Sequence, residues 1–509
     1  MVVPGRRVIK AEWQAVGQDG AGKAAAMAGT DVNSRIELNG IEVIDESERT
    51  GVPRSLFWPW FASNISVLGV SYGAFTLGFG VSFWQAAIAG VIGVVVSFAL
   101  CGVIALAGKR GSAPTMVLSR AAFGVRGNRL PAALSWLLTV GWETVLVVLA
   151  TLATATVFTR LGWGGGTGTK VVALVVVAAI TVLAGVAGFT VVMRLQTIIT
   201  VVTAALTVIY VILVAGDIHW AAVSALPSGS FQQVIGALVF LMTGFGLGWV
   251  NAAADYSRYL PRTASSRGVF GWTTFGAALG PVVLLIFGLL LAGSSADLST
   301  AIGADPIGAL TSLLPTWFLV PFAIAAVLGL IGGAVLDIYS SGLALLTAGV
   351  RIPRPVAAGV DGVIMVAGTI YVVFFGSSFI GEFQGFLITL GVPIAAWCGV
   401  FLADVARRRS DYAERDLFDR HGRYGDFRAL PLALVVVGTV IGWGLVTNTF
   451  AGWLGWQGYL LGPLGLGGKD GAWAYAGLGI LIALVIGFAG TWIGTAAAIR
   501  RQESIGLNT

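Results

Sequence analysis

The chain has 509 residues, of which 57% are hydrophobic and 11% charged, with a mean hydropathy of +0.89 and a formal net charge of +6. Soluble globular chains carry roughly a quarter of their residues as charges, so this composition excludes a water-soluble domain. The long, continuous apolar runs also exclude the roughly ten-residue alternation of an outer-membrane barrel.

Residues 1–55 are polar and mixed, without the apolar core and small-residue cleavage site of a signal peptide. Twelve apolar runs follow, at 56–80, 83–107, 132–158, 171–192, 196–216, 232–254, 269–292, 315–345, 362–379, 383–403, 431–451 and 474–498. A spanning helix takes about 20 such residues, so the expected fold is an all-α polytopic membrane protein with 12 transmembrane helices. The 315–345 run exceeds one crossing; it is tilted or extends beyond the hydrocarbon. Between the second and third runs, the basic segment 109–131 has an amphipathic centre and is either an interfacial loop or a helix that moves with gating.

The chain has 30 Lys and Arg. All but Arg160, Lys170 and Lys469 fall in the tails or on one set of alternate connections. Basic residues are retained on the cytoplasmic side, which predicts both termini in the cytoplasm of a multi-pass inner (plasma) membrane protein. The same bias accounts for the net charge, so nucleic acid is not an expected partner. Cys101 and Cys398 lie inside apolar runs and read as small buried hydrophobes.

Two spans carry the sequence of a broken helix. The first reads Asn64-Ile65-Ser66-Val67-Leu68-Gly69-Val70-Ser71-Tyr72-Gly73, and the sixth Thr243-Gly244-Phe245-Gly246-Leu247-Gly248-Trp249-Val250-Asn251. Clustered glycine weakens helix, and backbone groups freed at membrane depth survive only where protein, a cavity, an ion or a ligand takes them up. Spans one and six are the equivalent positions of a five-plus-five inverted repeat, and paired interruptions there point to a midplane site. The implied organisation is a cytoplasmic tail at 1–55, repeats at 56–216 and 217–403, a cytoplasmic connection at 404–430, two further helices within 431–498, and a cytoplasmic tail at 499–509.

Glu143, in the third span, and Asp337, in the eighth, have no Lys or Arg at their depth. A charged carboxylate at the bilayer centre costs at least about 2.5–3.5 kcal/mol. Each must therefore face water, bind a cation or hold a proton, as suits substrate binding or ion coupling; a permanently protonated structural acid is the alternative. Asp255, at the exit of the sixth span, reads as a helix-end or gate contact, and Asn64 as a polar group at the first break. Trp142 and Trp249 are deep and flanked by small or polar residues, so they can sandwich a flat heterocycle or simply pack. Trp58, Trp60, Trp84, Trp220 and Trp317 read as members of the interfacial belts. His219 and His421 lie outside the spans, and no metal site is expected.

With these residues in place, the chain resembles the nucleobase:cation symporter family, purine-cytosine permease branch. The resemblance is carried by Thr50-Gly51-Val52-Pro53, Asn64, Gly111-Ser112-Ala113-Pro114, Ser119-Arg120-Ala121-Ala122-Phe123-Gly124, Gly141-Trp142, Tyr339-Ser340 and, most specifically, Gly248-Trp249 followed by Ala254-Asp255-Tyr256-Ser257-Arg258-Tyr259-Leu260-Pro261. It implies a LeuT-like five-plus-five inverted repeat with two additional C-terminal helices. It also implies substrate stacking on Trp142 and Trp249, with Gly248 beside them and Ser66 or Ser71 assisting. Two positions depart from the family pattern. Leu146 stands where an amide is common, one turn beyond Trp142, and Asp337 where an asparagine precedes the Tyr-Ser pair. Carboxylates for amides remove donors, which favours cytosine or adenine over uracil and leaves thiamine-, pyridine- or nucleoside-type substrates open.

The expected activity is cation-coupled uptake of a nucleobase or similar flat heterocycle by a monomer or weak oligomer without cofactor. The hydroxyl-poor Gly332-Gly333-Ala334 stretch favours H+ over Na+ as the coupling ion. A substrate-gated channel would need a continuous polar lining, an enzyme would need clustered catalytic groups, and an ATP-driven pump would need a phosphate loop; none is evident. A membrane receptor of the same fold is the other class.

Overall fold

The polypeptide folds as helices joined by short connections. The structure, a computed structural model, describes residues 37–376, 379–450 and 452–504, and no strand occurs among them. Residues from Leu38 onward form one compact unit. The first apolar run is two helices, α1 (Phe57–Asn64) and α2 (Val67–Leu77). Four long helices follow: α3 (Phe83–Gly111), α4 (Arg129–Arg160), α5 (Thr167–Ala187) and α6 (Phe189–Val214). After α7 (Phe231–Gly244) the backbone continues as two short 3-10 turns, Gly246–Gly248 and Val250–Ala252. Next come α8 (Ser266–Gly293), the short α9 (Ala296–Ala304) and α10 (Pro306–Ser312), and then α11 (Leu319–Ala348), α12 (Arg354–Phe375) and α13 (Phe379–Arg407). The C-terminal part contains α14 (Ala429–Gly444), α15 (Leu478–Gly494) and α16 (Ala496–Ser504).

Nine helical stretches among the described residues are long and apolar enough to cross a membrane; α14 and most of α2 are shorter apolar helices. The 315–345 run is a 3-10 turn at Thr316–Phe318 leading into the 30-residue α11. Segment 109–131 folds inward as two single helical turns, Thr115–Leu118 and Arg120–Phe123, whose residues are all buried. The centre of the segment is therefore packed within the protein, not laid out as an interfacial loop.

Both predicted interruptions occur. At the first, Ile65 (φ −92°, ψ 92°) and Ser66 (φ −141°, ψ 161°) leave the helical region between α1 and α2. At the second, Phe245 (φ −114°, ψ −104°) ends α7. The starts of α3 and α7 are set by matching capping boxes, Ser82 with Gln85 and Ser230 with Gln233. Gln85 ties the two starts together, donating from Nε2 to the Gly229 carbonyl (2.9 Å) and accepting from the Gly229 N–H (2.8 Å). The broken stretch after α7 is held by α3: the Gly246 N–H donates to Ser97 Oγ at 3.1 Å, and the Cys101 thiol donates to the Gly246 carbonyl at 3.2 Å. Freed backbone groups therefore find partners inside the protein, as membrane depth requires.

The α1 break rests on glycines of α11. A Cβ at Gly329 would lie 2.5 Å from the Ile65 carbonyl oxygen, and one at Gly332 2.7 Å from that of Ala62. Only hydrogen at these positions lets the two backbones meet, the small-residue logic of membrane helix packing.

Candidate functional site

The two breaks face one another across a small cavity lined by Ser63, Asn64, Ser66, Leu68, Gly69, Tyr72, Trp142, Leu146, Gly244, Phe245, Gly248, Trp249 and Asp337, with about 40 Å³ open to the centres of water molecules. It is enclosed by α1, α2, α4, α11 and the broken stretch after α7. Of the residues singled out from sequence, Ser66, Trp142, Gly248, Trp249, Asp337 and Asn64 all line it. Ser71 and Glu143 are fully buried and do not line it. Asp255 lies beyond it, past the broken stretch.

The two tryptophans arrive from different elements. Trp142 projects from the middle of α4, where Gly141 lets α13 close in: the Phe386 ring packs edge-on against the Trp142 indole at 6.3 Å, in the space a Cβ at Gly141 would fill (2.3 Å). Trp249 sits between the two 3-10 turns. Gly248 places the broken backbone against the Trp142 indole, since its Cβ would lie 3.1 Å from Nε1. Trp60 of α1 supports Trp249 from below, edge-on at 5.8 Å. Trp60 is fully buried, not interfacial as its sequence position suggested, because it fills the space between Trp249 and Tyr256 (5.7 Å). Trp58, Trp84, Trp220 and Trp317 are exposed.

The polar equipment is sparse. Asn64 Nδ2 is engaged by the Trp60 carbonyl (2.8 Å) and Ser63 Oγ (3.0 Å), so its amide oxygen is the group left to present. Asp337 Oδ2 is buried without a hydrogen-bond partner among the described residues. Leu146, the departure from the amide pattern, faces the cavity as an apolar wall. Glu143 does not replace that amide. The polar groups of the wall are thus the Asn64 and Asp337 oxygens and the Ser63, Ser66 and Tyr72 hydroxyls, beside two indole surfaces.

Both approaches are closed. On the side poor in basic residues a wide cleft, about 850 Å³ by the same measure, is lined by Phe75, Phe79, Gln233 and Tyr475 among others. Tyr72 separates it from the site together with Phe245 (4.5 Å) and Phe240 (5.4 Å), and Phe79 lies against Phe240 at 5.7 Å. On the basic side, Asp255 Oδ1 accepts from both the N–H and the hydroxyl of Thr115, each at 2.7 Å. Burial pushes the Asp255 carboxyl up, opposed by the Thr115 hydrogen bonds. Arg258 donates to the Gly40 carbonyl (2.9 Å) and to the Tyr339 hydroxyl (2.7 Å), and Tyr256 donates to the Leu336 carbonyl (2.9 Å). The Asp-Tyr-Ser-Arg-Tyr run thereby ties the broken stretch to α11 and the N-terminal segment.

The chain matches the family of permeases for cytosine/purines, uracil, thiamine and allantoin over positions 43–462. The chain belongs to this family. Within it, the putative purine-cytosine permease YxlA of Bacillus subtilis (strain 168) is 22% identical over 454 residues, covering 86% of this chain and 93% of that protein. Among solved structures, Mhp1, a nucleobase-cation-symport-1 family transporter, in a closed conformation with bromovinylhydantoin bound, superposes with a TM-score of 0.66. It is 18% identical and covers 92% of this chain and 100% of Mhp1. The inward-facing conformation of Mhp1 gives 0.63 at 19% identity, over 92% and 96% of the two chains. A Na+-coupled sialic acid symporter in a substrate-bound outward-open state gives 0.60 at 13% identity, over 91% and 92%. These likenesses establish a shared transporter fold, and family membership establishes a multi-pass membrane permease.

Two residues of the neighbourhood were not singled out from sequence. Gln196 of α6 is fully buried and donates to the Gly332 carbonyl at 2.7 Å. Asp361 of α12 is fully buried too. The ninth apolar run starts one residue after Asp361; beginning it at Arg354 exposes a lone acid within a continuous apolar helix, the same signal that marked Glu143 and Asp337.

Proposed function

We propose that the protein is a proton-coupled secondary active transporter that takes up a nucleobase such as cytosine or a purine, or a similar flat heterocycle, by alternating access, and that it has no enzymatic activity. The observation that carries this reading is the cavity between two broken helices, walled by Trp142, Trp249 and the unpartnered Asp337 oxygen. Indole faces suit a planar ring. A carboxyl group at Asp337 in place of an amide, with Leu146 apolar, suits a ring rich in N–H donors, hence cytosine or adenine before uracil. The cavity is smaller than such a ring, so binding requires one of the two closing layers to part, as alternation between sides demands. A bulkier thiamine- or nucleoside-type cargo would need a larger displacement.

Proton rather than sodium coupling is supported by the donor set at the first break. Where α11 meets the Ala62 and Ile65 carbonyls it offers Gly329, Gly332 and Gly333, with no hydroxyl ligand for a hard cation, and the Gln196 amide already serves the Gly332 carbonyl. The paired interruptions, with α14 and α15 following, support twelve crossings in a five-plus-five inverted repeat plus two, both termini cytoplasmic. The test is uptake into proteoliposomes with proton and sodium gradients imposed separately, scanned over labelled cytosine, adenine, uracil and thiamine. Cytosine or adenine accumulating on the proton gradient alone is expected. Accumulation that needs sodium would overturn the coupling assignment, and no accumulation of any flat heterocycle would overturn the transport reading.

A further inference from the structure

Behind the substrate cavity, Glu143 of α4, Ser341 of α11 and Asp361 of α12 meet in a second buried polar cluster. Asp361 has two donors: Trp136 Nε1 reaches Oδ1 at 2.8 Å, and Ser341 Oγ reaches Oδ2 at 2.8 Å. Ser341 Oγ also lies 3.2 Å from the Ile338 carbonyl and 3.4 Å from Glu143 Oε2. Glu143 is fully buried, and its Oε1 has no partner among the described residues.

A hydroxyl has one proton to give. Asp361 is the nearest acceptor and the one prepared for charge, because the Trp136 N–H already serves its other oxygen. With the Ser341 proton committed there, the contact to Glu143 is attractive only if Glu143 supplies the hydrogen. No cation relieves the pair. Asp337 stands one turn before Ser341 on α11 and is itself acidic. Tyr339, also on α11, is bonded to Arg258. Arg354 of α12 is spent on the Gly185 and Val186 carbonyls at 2.8 Å each. The only titratable residue of α5, Lys170, lies at the opposite end of that helix from these two carbonyls. On its other side α4 meets α13 at Gly141, through the apolar Phe386. Two carboxylates across one hydroxyl, without a cation, cannot both be charged at modest cost.

We propose that Glu143, Ser341 and Asp361 form a one-proton site distinct from the substrate cavity, with Glu143 as its carrier. The proton can shift within the site. The Glu143 O–H bond breaks as its proton passes to Ser341 Oγ, while the Ser341 proton passes to Asp361 Oδ2. Glu143 is left charged, Asp361 neutral, and the net charge unchanged. The position suits coupling, because Glu143 adjoins Trp142 on α4 and Ser341 is one turn from Asp337 on α11, so the site backs onto two walls of the cavity. This use of the proton rests on the transport reading; the existence of the site does not.

Infrared spectroscopy of the full-length protein in lipid, in H2O and D2O across neutral pH, reads the proton directly. Wild type should show a protonated-carboxyl C=O stretch that is lost in Glu143→Gln, persists in Asp337→Asn and shifts in frequency in Ser341→Ala, which removes the hydroxyl and adds no charge. A Glu143→Gln spectrum that retains every wild-type carboxyl band, or a Ser341→Ala band coincident with wild type, overturns the site. In proteoliposomes, proton-driven cytosine accumulation should be lost in Glu143→Gln and Asp361→Asn, while cytosine–cytosine exchange is retained. Proton-driven accumulation intact in both variants overturns the coupling role. Wild type that fails to take up cytosine refutes the transport reading instead, and the spectra still decide the proton site.

Discussion

Gly248 faces Trp142 at close range in the cavity between the two breaks: a Cβ at Gly248 would lie 3.1 Å from the indole Nε1. The broken stretch after α7 therefore leaves little room against α4 for a side chain at this position. Enlarging that residue narrows the site without touching the rest of the wall. Overpacking a filled site costs typically 1–3 kcal/mol. Gly248→Val is expected to weaken cytosine affinity about thirtyfold at the middle of that range, and Gly248→Ala less. Competition against labelled cytosine uptake measures both.

The two tryptophans differ in what their removal costs. An aromatic pair contributes about 0.5–1.5 kcal/mol beyond its buried area. Trp142→Ala should reduce cytosine affinity by at least about tenfold. Trp249 also packs edge-on against Trp60, so Trp249→Ala opens a void as well, at about 3–5 kcal/mol of stability. Trp249→Phe should keep the fold and a weakened site. Apparent Tm measured beside uptake separates the effects, and cytosine uptake undiminished in Trp142→Ala would remove the indole from the site.

The contact of α1 with α11 should tolerate added atoms poorly. Gly332→Ala would set a methyl 2.7 Å from the Ala62 carbonyl oxygen, a backbone atom that cannot swing aside. Gln196→Leu would deprive the Gly332 carbonyl of its 2.7 Å donor, a loss of about 1–3 kcal/mol for a buried polar group left unpaired. Both variants are expected to lower the apparent Tm of the purified protein, and neither should make uptake sodium-dependent.

The Asp255–Thr115 and Arg258–Tyr339 bonds are expected to act as a latch that holds the basic side shut. Hydrogen bonds to charged groups are worth about 1.5–3 kcal/mol each. Arg258→Lys cannot reach the Gly40 carbonyl and the Tyr339 hydroxyl together, since an ammonium lacks the guanidinium fork. It should shift the population toward opening on that side. Labelling of a cysteine introduced at Leu336 by a water-soluble thiol reagent should become faster, and unchanged labelling would show that the latch bears no load.

The membrane class, both helix breaks and most of the cavity lining were legible in the chain. Transfer energy and glycine's weak helix propensity are local properties, readable one window at a time. Trp142, Trp249, Gly248, Ser66, Asn64 and Asp337 could be named because they stand at or beside those breaks, or cost energy at membrane depth. The misplacement of Trp60 has the opposite origin: sequence position gives a residue's height in the bilayer but not whether it faces lipid or protein.

The acids show where sequence stops and tertiary structure begins. Composition alone determined that Glu143 and Asp337 have no basic partner within the spans, and hence that protons, cations or ligands must balance them. One residue step along a helix turns the side chain by about 100°, so the adjacent Trp142 and Glu143 look into different surroundings. Only the packing of α4 against α11 and α12 decided that Trp142 faces the cavity while Glu143 turns away to Ser341 and Asp361. Contacts 198 and 20 residues distant in the chain have no signature in the local sequence, because close packing, and not periodicity, selects which helix faces meet.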